Sequence, residues 1–107
     1  MKQTEYLVVK RHELVKLANT MLADNINLIE GIRQICGLRF AVADPENEVF
    51  LAIRGIESET DTFPLGQARS NYSREYLQRM DVEMQGYLAE SKNDILQACQ
   101  KIVQTFS

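Results

Sequence analysis

The chain has 107 residues and a formal net charge of -3, with 45% apolar and 25% charged residues. This length suits one hydrophobic core and is too short for two, so we expect a single domain over 1–107. Its apolar runs fall short of the ~18 residues that a membrane span needs, and the N-terminus lacks a signal-peptide core, so we expect a cytoplasmic protein without a membrane role.

The first predicted element is an amphipathic helix from Arg11 to Leu22. Its apolar residues recur at intervals of three and four, which is the helical period. They form one stripe: Leu14, Leu17, Ala18 and Met21. The preceding run from Tyr6 to Val9 fits either a short strand or the first turn of this helix, because four residues are too few to show a period.

A second helix is predicted after Asn27, which suits an N-cap and is followed three residues later by Glu30. Gly31 and Gly37 weaken its helix propensity, although a glycine also lets a neighbouring helix approach closely. We expect four residues on its buried face: Ile29, Ile32, Cys36 and Phe40.

A minor β element is predicted within 38–54. Val49 to Ile53 is typical of a short strand, and 38–43 could pair with it as a hairpin around the turn 44–47, where Pro45 stops the preceding helix. The sequence therefore predicts a mainly α fold, a bundle of three to four helices with this one short strand or hairpin.

The last and longest predicted helix follows Ser73, a good N-cap, and carries an apolar stripe from 77 to 106. An unbroken helix of that length would measure about 50 Å, longer than the diameter of a small domain. We therefore expect a bend near Ser91 to Asp94, or an end that projects as an interaction surface.

Motifs for catalysis or cofactor binding do not stand out. His12 is the only histidine, and Cys36 and Cys99 lie too far apart for a zinc motif, so both cysteines are expected to be small buried hydrophobes. Phosphate-binding glycine loops and serine-nucleophile motifs are absent from the sequence. We expect no enzyme activity, no metal site and no cofactor.

Acidic residues concentrate between 44 and 61, where six acids face the lone base Arg54, a local balance of -5. The six are Asp44, Glu46, Glu48, Glu57, Glu59 and Asp61. Such a segment repels nucleic acid and attracts basic partners. The last three alternate along a predicted surface loop, but the EF-hand pattern fails because its glycine and final glutamate are missing.

The candidate partner-binding residues lie in and after this loop. Glu57, Glu59 and Asp61 are expected to contact a partner together with Arg69 and Tyr72, two residue types that are enriched at binding hot spots. Three further acids supply the longer-range field: Asp44, Glu46 and Glu48. Arg69 has an alternative structural role, in which it pairs with a loop carboxylate and holds the turn at 64–66.

A family resemblance rests on three segments: LIEGIRQICGLRF (28–40), FLAIRGIESETDTFPLGQAR (50–69) and YLQRMDVEMQGYLAESKNDILQACQKIV (76–103). The chain resembles a family of small bacterial proteins that combine a helix, a strand, an acidic loop and a long C-terminal helix. It departs from their pattern at Tyr72, where tryptophan is expected, and at Arg74, where proline is common.

Members of this family resemble immunity proteins of bacterial toxin systems, including contact-dependent growth inhibition. The resemblance implies a cytoplasmic protein that binds and blocks one cognate toxin domain, with a nuclease as the expected target of the acidic surface. The alternative is a homodimeric helical adaptor or regulator, with the stripe from 77 to 106 as its seam. A small enzyme is the least favoured class.

Overall fold

The computed structural model describes residues 2–107, which form four α-helices. These are α1 (Gln3–Leu22), α2 (Leu28–Ala41), α3 (Leu51–Thr60) and α4 (Arg74–Phe106). Short 3-10 helices at Glu48–Phe50 and Gly66–Asn71 precede α3 and α4. The mainly helical prediction is confirmed, whereas the minor β element is wrong, because no strand occurs in residues 2–107.

Helices α1 and α4 lie antiparallel and share the most extensive contact of the fold. Met21 Sδ lies 3.8 Å from Cys99 Sγ, while the guanidinium of Arg11, earlier in α1, lies 6.0 Å from the ring of Phe106. The run from Tyr6 to Val9 belongs to α1 and is helical. Its side chains reach no core, because the buried residues of α1 begin at Leu14.

Helix α4 continues without interruption through Ser91 and Asp94. Its 33 residues correspond to about 50 Å, close to the 48 Å long axis of the molecule. The predicted stripe packs within the chain at Met84, Ile95, Cys99 and Ile102, whereas Leu77 and Met80 near the start of α4 are only half-buried. Within the described range, no helix combines the length and apolar character needed to cross a bilayer.

The main core draws on all four helices, with Leu14, Ile32, Ile53 and Ile102 fully buried. A smaller cluster of Ile29, Phe63 and Met84 lies beneath the connection to α4. Removal of this apolar surface from water is the main stabilising contribution to such a fold. Both cysteines are buried, as predicted, and burial raises the pKa of the Cys99 thiol to about 11.

The N-cap of α2 is confirmed, because Asn27 Oδ1 accepts hydrogen bonds from the backbone N–H of Ile29 (3.0 Å) and of Glu30 (3.1 Å). The predicted burial of Phe40 is wrong: this side chain is 61% exposed and its ring lies 4.2 Å from the Arg39 guanidinium. Since α2 ends at Ala41, fully buried Val42 enters the core instead.

The segment predicted as a strand forms the 3-10 turn Glu48–Phe50 and the start of α3. Asn47 begins it, because its side-chain oxygen accepts a hydrogen bond from the Val49 N–H at 3.0 Å. Phe50 and Ile53 are buried and Leu51 is exposed, a spacing of three that is helical and not alternating. Phe50 stacks on Phe106, with ring centroids 5.7 Å apart.

Candidate functional site

The three alternating carboxylates lie at the C-terminal end of α3, so their placement in a loop is wrong. Glu57 and Glu59 belong to the last turns of the helix, and Asp61 is its C-cap. Residues four apart share one helix face, whereas residues two apart do not. Glu57 and Asp61 therefore lie on one side of α3 and Glu59 lies on another, so the three do not converge on a single point.

The side of α3 that carries Glu57 and Asp61 faces α2. Arg33 of α2 donates hydrogen bonds from Nη2 to the carbonyl oxygens of Thr60 (2.9 Å) and Phe63 (2.7 Å), which satisfies the end of α3. Burial and the adjacent Glu57 carboxylate raise the pKa of the Cys36 thiol to about 12. This cysteine is therefore a protonated, weakly reactive group at neutral pH.

Glu59 points the other way, into a groove between α3 and α4 of about 340 Å³. We call it the α3–α4 groove. Its apolar lining consists of Val49, Ala52, Ile56 and Ala98, and its charged lining of Glu48, Glu59, Asp94 and Lys101. Three carboxylates face one ammonium group, so the groove combines apolar surface with an excess of negative charge.

The phenol of Tyr87 fixes the position of Glu59. Its O–H donates a hydrogen bond to Glu59 Oε2 at 2.7 Å. Burial, reinforced by the Glu59 carboxylate, raises the pKa of Tyr87, so the phenol remains a donor at neutral pH. Three further groove residues are not recognisable from the sequence, since nothing local shows that α4 packs beside α3: Tyr87, Asp94 and Lys101.

The earlier acids are divided between internal contacts and the groove. Glu46 forms an ion pair with Arg54 at 3.0 Å and lies 3.9 Å from Arg39. Asp44 accepts a hydrogen bond from Asn47 Nδ2 at 2.9 Å. These two acids therefore hold the connection between α2 and α3, and Glu48 is the one of the three that lines the groove.

Arg69 forms a bidentate pair with Asp81 of α4, with both N–O distances at 2.8 Å, and also donates to the carbonyl oxygen of Pro64 at 3.2 Å. Arg69 thus has the structural role given above as its alternative, which is to hold the turn at 64–66. Its partner is a carboxylate of α4 and not one of the loop carboxylates. Gly66 adopts a φ of +59° in this turn. Tyr72 is partly exposed and stacks on Tyr76, with ring centroids 4.9 Å apart.

The Arg69–Asp81 pair predicts an acid dependence of stability. The guanidinium lowers the pKa of Asp81 below its usual 3.8, so the pair stabilises the folded chain above that pH and is lost as the pH falls through the lowered value. We expect Asp81→Asn to unfold at lower urea than the unaltered chain at pH 7, and the two midpoints to begin to converge as the pH falls below about 4. A constant gap from pH 7 to pH 3 would contradict this.

In residues 2–107, no group of three His, Cys, Asp or Glu side chains could hold a metal ion. No family model, curated protein or solved structure matches this chain.

Proposed function

We propose that this protein is a stoichiometric inhibitor of the immunity-protein class, which binds a basic toxin domain, a nuclease being the expected kind, on the acidic surface of α3. The observation that carries the proposal is the presence of Glu57, Glu59 and Asp61 at the C-terminal end of α3. Negative charge at the negative end of a helix dipole costs about 0.3–1 kcal/mol per group. Locally unfavourable arrangements of this kind concentrate at functional sites.

These carboxylates are also available to a partner. In the described part of the chain, no basic side chain lies within 4 Å of any of the three, although other acids, such as Glu46 and Asp81, are paired. Arg33 lines the same surface as Glu57 and Asp61 but donates to backbone carbonyls, and a positively charged toxin surface would add counter-charge there. Such complementarity speeds association by electrostatic steering, which suits an inhibitor that must capture its toxin before damage occurs.

The test is a charge reversal that separates folding from binding. We expect the double substitution Glu59→Lys with Asp61→Lys to leave the free energy of unfolding within about 1 kcal/mol of its original value, because relief of the helix dipole offsets the loss of the Tyr87–Glu59 hydrogen bond. The same variant should slow association with the toxin encoded beside its gene by roughly tenfold at low salt. Urea unfolding, stopped-flow association and rescue of toxin-expressing cells are the measurements.

Glu83→Lys with Glu90→Lys is the matched control, because both acids are exposed on α4 outside the groove and the net charge changes equally. The control should bind and rescue like the unaltered chain. If association slowed equally in both double variants, the effect would come from net charge and not from the position of the α3 acids. Unchanged association in the α3 variant would reject the proposal.

Self-association remains the second candidate, and one observation favours it. Tyr6, Val8 and Val9 in the first turns of α1 are exposed large apolar side chains, and no residue of α1 before Leu14 is buried. A homodimeric adaptor would use this surface, because most of the α4 stripe packs within the chain. Sedimentation of the unaltered chain decides the point, since a monomer at high concentration excludes this candidate.

A further inference from the structure

The α3–α4 groove has the shape and charge of a docking site for one segment of a partner. We infer that it receives a basic segment of the toxin, in which a lysine or arginine stands beside an apolar side chain. This inference rests on the proposed function and names the element of the partner that is bound.

The apolar lining defines where the apolar side chain of that segment would lie. Ala52 of α3 and Ala98 of α4 are small, and they line the groove beside Val49 and Ile56. Larger side chains at these two positions would occupy the space between the helices. The groove therefore exists because alanines stand where a closer-packed bundle would carry leucine or isoleucine.

The charges define where the basic side chain of the segment would lie. Helix α3 runs antiparallel to α4, since Phe50 stacks on Phe106 while Glu59 meets Tyr87. Glu59 accepts the Tyr87 hydrogen bond and Asp94 lines the groove about two turns further along α4, so this part of the groove holds two carboxylates. Lys101 lines the groove nearer the C-terminal end of α4. A cation is thus favoured near Glu59 and Asp94.

The dimensions fit a short helical segment or an extended one. The stretch from Glu48 to Glu59, which comprises the 3-10 turn and most of α3, corresponds to about 16 Å, or roughly three helical turns. Arginine and lysine place an aliphatic stem along apolar surface and keep the charged head free for a carboxylate. On the α3 side of the groove the apolar lining lies between Glu48 and Glu59, so apolar surface is flanked by carboxylates, which matches that pattern, as in helix-in-groove recognition.

The inference is tested with a synthetic helical peptide of about 12 residues that carries two leucines on one face and arginines on its flanks. We expect saturable binding by fluorescence anisotropy and backbone amide shifts centred on Ala52, Ile56 and Ala98. Ala52→Leu should weaken binding roughly tenfold or more, because it fills the groove without altering charge. Ala52 is exposed in a helix, so the variant should fold, which circular dichroism checks.

Three controls make the result specific. Val82→Leu, on an exposed part of α4 outside the groove, should bind like the unaltered chain. A peptide with glutamate in place of arginine should bind at least tenfold more weakly, and so should one with serine in place of leucine at equal charge. Equal binding by the serine peptide, undiminished binding to Ala52→Leu, or shifts confined to another surface would overturn the inference.

Rescue of toxin-expressing cells separates this inference from the proposed function. If Ala52→Leu still rescues while the Glu59 and Asp61 reversal does not, the protein is an inhibitor that does not use the groove, and the inference fails alone. If the peptide binds in the groove but the chain neutralises no toxin, the groove stands as a site for basic segments and the immunity function fails.

Discussion

Phe50→Ala should lower the free energy of unfolding by about 3–5 kcal/mol, the largest effect that we expect from any single substitution. Its ring is fully buried in the main core and stacks on Phe106 near the end of α4. Truncation would leave a cavity where the chain enters α3. The surrounding core residues would collapse into it only in part, so the loss of the Phe50–Phe106 contact would not be compensated. Urea unfolding followed by circular dichroism gives the measurement.

The neighbouring positions provide matched controls that also test the helical register. Ile53→Ala should cost about 2–5 kcal/mol because Ile53 is fully buried, whereas Leu51→Ala should change stability by less than about 0.5 kcal/mol because Leu51 is 61% exposed. A strand would place Leu51 and Ile53 on the same face. Equal costs at 51 and 53 would therefore contradict the helix found here.

Helix caps and long periodic stripes were predictable from the sequence because both are local. Asn27 and Ser73 each accept hydrogen bonds from backbone groups of their own helix, as their residue types indicated. The stripe from 77 to 106 was long enough to show the helical period. Helix α3 was missed because Val49 to Ile53 is a run of five apolar residues, which fits a short strand and a short helix equally well.

The candidate site was less predictable because its geometry depends on distant pairings. Glu59 was identified as a candidate, but Tyr87, which orients it, lies 28 residues away. Arg69 was identified too, and its partner Asp81 belongs to the following helix. The alternating acids were expected to form one cluster, and the helix divides them, because its period of 3.6 residues separates positions that a loop would leave free to converge.

The helical period places Glu57 and Asp61 on the α2 side of α3 and Glu59 on the α4 side, and these two sides have different roles. On the α2 side, Arg33 binds the terminal carbonyls and so stabilises a helix end that carries three acids. On the α4 side, small side chains keep a groove open beside Glu59. One ten-residue helix therefore has a stabilised C-terminal end on one side and an accessible acidic groove on the other. This arrangement is expected if the acids serve binding and not folding.

The close approach of α1 to α2 at Gly31 leads to the second large effect. A Cβ placed on Gly31 would lie 2.6 Å from Met21 Sδ and 2.8 Å from Met21 Cγ. Met21 is fully buried and so has little room to move. Overpacking of this kind costs about 1–3 kcal/mol, which exceeds the gain of about 1 kcal/mol that alanine brings to a helix. We expect Gly31→Ala to destabilise the chain by up to about 2 kcal/mol in urea unfolding.

Gly37→Ala is the matched control, because this glycine lies in the same helix with nothing within 4 Å of the added Cβ. It should stabilise the chain by up to about 1 kcal/mol, so that the same substitution has opposite signs six residues apart. Met21→Ala should reverse the effect at 31, since it removes the atoms that the new Cβ would meet, and the two substitutions should therefore be strongly non-additive. If the two changes in the free energy of unfolding were additive, contact with Met21 would not be the reason that alanine is unfavourable at position 31.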